Sequence, residues 1–224
     1  LGRSSAASDV YKRQGYELTH QVRRSLRYTW TSSEGHLYRE QKRLVELGWA
    51  SVDVEATGGR SRKRYSITPE GEAALEAWLT TQPQQPHFEI EGFMRLFYAD
   101  RGTIEDMVLS LEKTAGDARR MLAELGDFVD EYLAEGGPLW LLEHGEGSPD
   151  AGRVEFRGRP MFPERLHVVA LVLDATTQLL AQVEQFCSRT AIEVRAWPSP
   201  THGQLTASTR ARLESIRARL DRLS

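Results

Sequence analysis

Residues 48–71 read GWASVDVEATGGRSRKRYSITPEG. Ala50, Val52 and Val54 alternate with Ser51, Asp53 and Glu55, the period of a half-buried strand. Thr57-Gly58-Gly59 has the composition of a tight turn, and beyond it Tyr65 and Ile67 alternate with Arg62, Arg64 and Ser66. The stretch predicts a β-hairpin. Arg60, Arg62, Lys63 and Arg64 crowd its tip with positive charge. Thr68 then caps a helix with Pro69 in its first position, and Leu75, Trp78 and Leu79 form that helix's apolar stripe.

On the N-terminal side, Thr31 with Glu34 makes a capping box. A helix is expected from about Ser32 to Leu47. Leu37, Tyr38, Leu44, Val45 and Leu47 form its apolar face, and His36, Arg39, Lys42, Arg43 and Glu46 its polar face. Gly48 is placed to end it. A shorter amphipathic helix follows Gly15, carried by Tyr16, Leu18, Val22 and Leu26. Residues 1–14, LGRSSAASDVYKRQ, show neither period and no apolar core of a secretory signal. They read as a non-native or disordered segment outside the fold.

Helix, turn, helix and a basic-tipped hairpin is the order of a winged helix-turn-helix. Its second helix enters the major groove, where base edges differ in donor and acceptor pattern. Its wing lies along the backbone, where cations neutralise phosphates. The expected partner is double-stranded DNA. Ser33, His36, Tyr38, Arg39, Lys42 and Arg43 are the candidate contacts on the helix, and Arg60, Arg62, Lys63 and Arg64 those on the wing. Tyr38 also reads as a core aromatic with its hydroxyl at the surface.

The formal net charge of the chain is −3. Residues 15–80 carry 10 Lys and Arg against 9 Asp and Glu, whereas residues 81–224 carry 16 against 22. Attraction to DNA must therefore come from a local patch and not from the whole chain.

TTQPQQP at 80–86 is a polar, proline-bearing stretch. It divides a DNA-binding domain, 15–80, from a helical domain, 87–224, with 81–86 as linker. Phe88 to Tyr98 is aromatic-rich and expected to be helical. Ile104, Val108, Leu111, Ala115, Ala118, Leu122, Leu125, Val129 and Tyr132 then step by four and three, a coiled-coil-like seam. A second seam runs Leu166, Val169, Leu173, Thr176, Leu180, Val183, Cys187, Thr190 and Val194. A last one runs Leu213, Ile216, Leu220 and Leu223. Either packing within the chain or packing between two copies would satisfy such seams. Ile104, Val108, Leu111, Leu122, Leu125 and Val129 are the candidate dimerisation residues. Gly136 to Pro163 is a long glycine- and proline-bearing connection, in which PLWLLEH reads as a helical turn and RVEF as a short strand. The fold class is mainly α: a winged helix-turn-helix followed by an α-helical dimerisation domain.

The motifs now resemble a family. Gly15-Tyr16-Glu17-Leu18, Gly35-His36-Leu37-Tyr38, Lys42-Arg43-Leu44, Gly48-Trp49, Arg64-Tyr65 and Thr68-Pro69-Glu70-Gly71 look like the PadR family of bacterial transcriptional regulators, over roughly residues 15–80. The resemblance implies a homodimeric repressor of a palindromic operator, with C-terminal helices building the dimer and a phenolic or other small apolar effector releasing it. It places Tyr38, Arg39 and Lys42 on the recognition helix and Arg60 to Arg64 on the wing. The family has a further helix before its GYEL motif, where this chain carries residues 1–14. For the effector, Trp78, Phe93, Phe97, Trp140 and Trp197 are candidate contacts.

Other classes find less support. The sequence has no P-loop, no dinucleotide-binding glycine fingerprint and no zinc-type His/Cys spacing, and its six histidines are scattered. Catalysis, a cofactor and a metal are not expected. A protein-docking module on a winged-helix scaffold is the alternative, although docking has no need of clustered cations. Cys187 is the single cysteine, read as a helix-packing residue. No apolar run of membrane-spanning length is expected, and the cytoplasm is the expected compartment.

Overall fold

The computed structural model describes residues 13–14, 34–57, 60–144, 154–156, 159–161, 166–201 and 206–222. The helix expected after Gly15, Ser33, the Thr31 cap and the Gly58-Gly59 turn lie outside the described residues. The elements are β1 (Arg13–Gln14), α1 (Glu34–Glu46), β2 (Ala50–Thr57), β3 (Arg60–Ile67), α2 (Pro69–Leu79), α3 (Glu91–Phe97), a 3-10 turn (Ala99–Arg101), α4 (Ile104–Leu133), α5 (Pro138–Glu143), β4 (Val154–Phe156), β5 (Arg159–Met161), α6 (Leu166–Arg195) and α7 (Thr206–Asp221). The fold is mainly α, as expected. Residues 81–90 carry no regular structure. Residues 1–86 group with 125–177 as one compact unit, and 87–124 with 178–224 as another.

In the first unit β2 and β3 form the expected hairpin, paired from Ala50↔Ile67 to Thr57↔Arg60. A third strand was not expected: Arg13 and Gln14 pair with Tyr65 and Arg64 on the free edge of β3. Two residues are too few to show a period, so their strand character is set by the edge they meet.

The hairpin is anchored by its neighbours. α1 ends in a Schellman motif, with Trp49 N–H donating to Leu44 O at 2.9 Å and Gly48 N–H to Val45 O at 3.0 Å. Gly48 sits at φ +74°, where a side chain is strained. The Thr68 hydroxyl accepts from Gly71 N–H at 3.1 Å, capping α2, and itself donates to Gly48 O at 2.6 Å. Thr68 N–H donates to Trp49 O at 3.1 Å. The paired motifs Gly48-Trp49 and Thr68-x-x-Gly71 are thus one latch, joining the end of α1 to the start of α2 and closing the hairpin base. Gly71 is buried there, and a Cβ on it would lie 2.1 Å from Trp49 O.

In the second unit the α4 seam meets α6. Met107, Val108, Leu111 and Ala115 cluster with Ala99, Cys187, Ala191 and Val194, and Ile104 and Val183 pack against them. Leu111 is 1% exposed. Ion pairs flank this core. Arg119 donates to Glu184 at 2.6 Å, Arg195 pairs with Glu112, and Arg212 of α7 pairs with Glu193. The Arg119 hydrogen bond, helped by Ser188, holds the Glu184 carboxyl below its ordinary range. That ion pair is therefore intact above the unfolded carboxylate pKa and breaks as pH falls through the folded one. Thr103 and Asp106 form a capping box at the start of α4: Asp106 N–H donates to the Thr103 hydroxyl, and Thr103 N–H donates to the carboxylate at 3.0 Å.

Two polar positions of the second seam, Thr176 and Thr190, are buried. The Thr176 hydroxyl donates to Val172 O at 2.7 Å, which satisfies it without a partner from another helix. Burial, with the nearby Glu184 charge adding to it, pushes the Cys187 thiol up. A thiol reagent at mildly alkaline pH should therefore label Cys187 slowly in the native protein and at once in denaturant, followed by absorbance. Equal rates would show that the α4–α6 core opens readily.

The last seam, on α7, is not covered within the single chain: Leu213 and Leu220 are exposed. α6 differs from the reading that no segment has membrane-spanning length and composition, since its best 18-residue window has a mean hydropathy of 1.5 and is 6% buried. Interspersed Thr, Gln and His hid that run from inspection, because they lower local apolarity without adding charge.

Candidate nucleic-acid interface

α1 presents Arg39, Lys42 and Arg43 at its surface, all exposed. Lys42 lies 3.7 Å from Glu46, and Arg43 lies 3.9 Å from Glu40. Pairs this exposed contribute little and exchange easily for another anion. Among the described residues no ion pair is found for Arg39, so a phosphate or base edge could take it without displacing a carboxylate. His36 and Tyr38 belong to α1 by backbone, but their side chains lie outside the described residues. The face opposite the cations differs from expectation: Gln41 is buried, whereas Leu44 and Leu47 remain exposed. Periodicity missed Gln41 because its type is usually on the surface.

The wing holds a feature that composition concealed. Opposed residues of an antiparallel pair share one face of the ribbon. The register places Arg62 opposite Glu55 and Arg64 opposite Asp53, whereas Arg60 faces Thr57 and Lys63 faces Val54. Lys63 is exposed; the side chains of Arg60, Arg62 and Arg64 are outside the described residues. Two of the four cations thus sit across from carboxylates. By register alone, Arg60 and Lys63 are the wing cations with no carboxylate directly opposite.

The expected dimerisation residues all lie on α4. Val108, Leu111 and Leu125 are buried within the single chain, and Ile104, Leu122 and Val129 are half-buried. The five aromatic residues considered for an effector fall in both compact units, Trp78 and Trp140 in the first and Phe93, Phe97 and Trp197 in the second. Trp78, 66% exposed, and Phe97 stand out from the surface. Phe93 meets Phe186 edge to face at 5.5 Å. Trp197 packs on the α4–α6 core, and Trp140 stacks on His144. None of them lines the cavity that the first unit does contain. That cavity of about 680 Å³ is walled by the end of α4, by α5 and by the start of α6.

The sequence model of the Transcriptional regulator PadR-like family matches residues 7–77. The Probable transcriptional regulator Rv1176c of Mycobacterium tuberculosis is 32% identical over 73 residues, a match spanning 32% of this chain and 38% of that relative. Among solved structures, the PadR-like transcriptional regulator BC1756 from Bacillus cereus aligns at a TM-score of 0.59 with 13% identity, over 85% of this chain and 96% of that one. Bacillus subtilis PadR in complex with operator DNA aligns at 0.56 with 15% identity, over 84% and 96%. The Vibrio cholerae virulence activator AphA aligns at 0.55 with 19% identity, over 85% and 94%. These structural likenesses are likenesses of fold. Residues 7–77 are thus similar to the PadR-like family of transcriptional regulators, and the chain spans well under half the length of the curated relative it matches.

Proposed function

We propose that the chain is a cytoplasmic, sequence-specific DNA-binding transcriptional regulator that represses from a palindromic operator as a homodimer and responds to a small apolar effector. The observation that carries the DNA reading is the joint presentation, by one latched unit, of an exposed cationic helix face and a basic hairpin. The family segment and the fold shared with an operator-bound protein support it. Arg39 and Lys42 read base edges, and the wing grips phosphate.

The register sharpens the test. Arg60→Ala with Lys63→Ala should weaken binding to operator and random duplex alike, and should lower the log–log salt slope by about one unit for each phosphate no longer neutralised. Asp53→Asn with Glu55→Gln should tighten binding to random DNA. By contrast, Arg39→Ala should cost about 1–3 kcal/mol on the operator and less on random sequence. Fluorescence anisotropy across a salt series reads all three. An unchanged salt slope in the first variant would remove the wing from the interface and favour the protein-docking alternative.

Dimerisation is moved from the α4 seam to α6. The seam's central positions are already consumed inside the chain, whereas Val168, Leu171, Ala175 and Leu179 share an exposed face of α6. A second copy would cover this apolar strip, and the two-fold axis would match a palindrome. Repressor action, the palindrome and the effector belong to this proposal. Reporter output with and without the protein would separate repression from activation.

A further inference from the structure

α7 reads TASTRARLESIRARLD. Thr209, Leu213, Ile216, Leu220 and Leu223 step by four and three, the spacing of the a and d positions of a heptad seam. In that register Arg210 and Arg217 take the e positions, and Arg212 and Arg219 the g positions. Every position that flanks the seam between Thr209 and Leu220 is therefore an arginine. The carboxylates Glu214 and Asp221 fall at b positions, beyond the flanks. Leu213 is 60% exposed and Leu220 54%, while Ile216 is half-buried. The four flanking arginines are exposed as well, and Leu223 lies outside the described residues.

This charge pattern selects among occupants of the face. A second α7 is a poor one. A parallel pair sets g of one helix against e of the other, and an antiparallel pair sets e against e and g against g. Either way arginine meets arginine, and like charges at these positions oppose pairing. A lipid surface fits poorly too, because two apolar positions per heptad make the seam of a helix pair and not the broad face of an interfacial helix. Nucleic-acid phosphates would suit the arginines but leave Leu213 and Leu220 in water. Carboxylates already meet these flanks within the chain: Arg212 pairs with Glu193 of α6, and Arg217 with Asp221 at 2.8 Å. Ion pairs this exposed exchange readily for a competing carboxylate.

We propose that α7 is a docking helix for an acidic amphipathic helix of a partner protein, one with apolar residues at a and d and Asp or Glu at e and g. Leu213, Ile216 and Leu220 insert between its apolar residues, and Arg210, Arg212, Arg217 and Arg219 meet its carboxylates. The seam is about two heptads long, which suits a reversible contact and not an obligate one. Copies of the chain are not joined through α7. The inference does not rest on the proposed function, since α7 falls in the compact unit that lacks the family-matched segment.

Two labelled synthetic helices test it, each about four heptads long with Leu at a and d. One carries Glu at every e and g position, the other Lys. Fluorescence anisotropy with the full chain should show saturable binding of the Glu helix, weakened by added salt. The Lys helix should bind more weakly by about tenfold or more. Arg210→Glu with Arg217→Glu and Arg219→Glu should invert that preference. Leu213→Asp with Leu220→Asp should abolish binding of both helices while leaving sedimentation and thermal melting as in the wild type, because both side chains are exposed. Circular dichroism verifies folding of the variants, and either variant alone keeps the test decisive. The proposal is overturned if the wild-type chain binds neither helix or both alike, or if the arginine variant keeps the original preference. It is also overturned if the leucine variant changes the oligomeric state, which would make the face a contact between copies. Loss of affinity for random duplex in the arginine variant, with no helix bound by the wild type, would overturn it in favour of DNA.

Discussion

Gly71→Val should abolish the folded winged-helix unit. The constraint is a close approach and not a backbone angle. A Cβ at this position would stand 2.1 Å from the Trp49 carbonyl oxygen and 2.9 Å from Ile67 Cγ1. The first is backbone, so it cannot move by changing a rotamer. That same carbonyl accepts from Thr68 N–H, so displacing it also breaks the latch. Overpacking by a single group already costs about 1–3 kcal/mol where neighbours can yield. A branched side chain against a fixed carbonyl should exceed that and consume a large part of a small domain's stability. Thr68→Ala, which removes only the cap and its bond to Gly48, should cost about 1 kcal/mol. Chemical denaturation of the two variants checks the order. A Gly71→Val protein with wild-type stability would mean that α2 does not start where the latch puts it.

Leu111 and the α6 face give a second, opposed pair of expectations. Leu111→Ala should destabilise the chain by about 2–5 kcal/mol, the range for a buried leucine, because its side chain is 1% exposed among Cys187, Ala191 and Val194. It should do so whatever the state of association. Leu171→Glu with Leu179→Glu should leave the melting of a single chain nearly unchanged, since both side chains are exposed, yet should dissociate a dimer that uses that face. Sedimentation at micromolar concentration together with thermal melts distinguishes the two. A dimer that survives the α6 substitutions would return the interface to other surfaces, and a wild-type monomer would remove both dimer and palindrome.

The hairpin, the Thr68 cap and the long helices were legible because each is written in local chemistry: alternation over 50–54, a threonine before proline, and apolar residues every three and four positions. The role of Leu111 was not. A helical period shows that a face is apolar, but not which helix covers it, and the α4 seam suits an internal partner as well as a second copy. The tempering of the wing was invisible for a related reason. Glu55 and Arg62 are seven residues apart in sequence, and only the register makes them neighbours. The cavity was harder still. Its lining joins Leu133, Leu139 and Leu142 with α6 residues from beyond a long connection, and the sequence reading turned to large aromatics, none of which lies there. An apolar residue on the edge of a seam, such as Leu133, was the available signal.

The carboxylates opposite Arg62 and Arg64 bear on how long such a protein would stay in the wrong place. A chromosome offers an enormous excess of non-cognate sites, and time spent on each is set by the sequence-independent grip. A wing with four unopposed cations would tighten that grip everywhere and slow the search. Under the proposed function, Asp53 and Glu55 in the ribbon should make release from random sequence faster without altering the approach of α1 to base edges. On that proposal the hairpin would act on residence time more than on recognition.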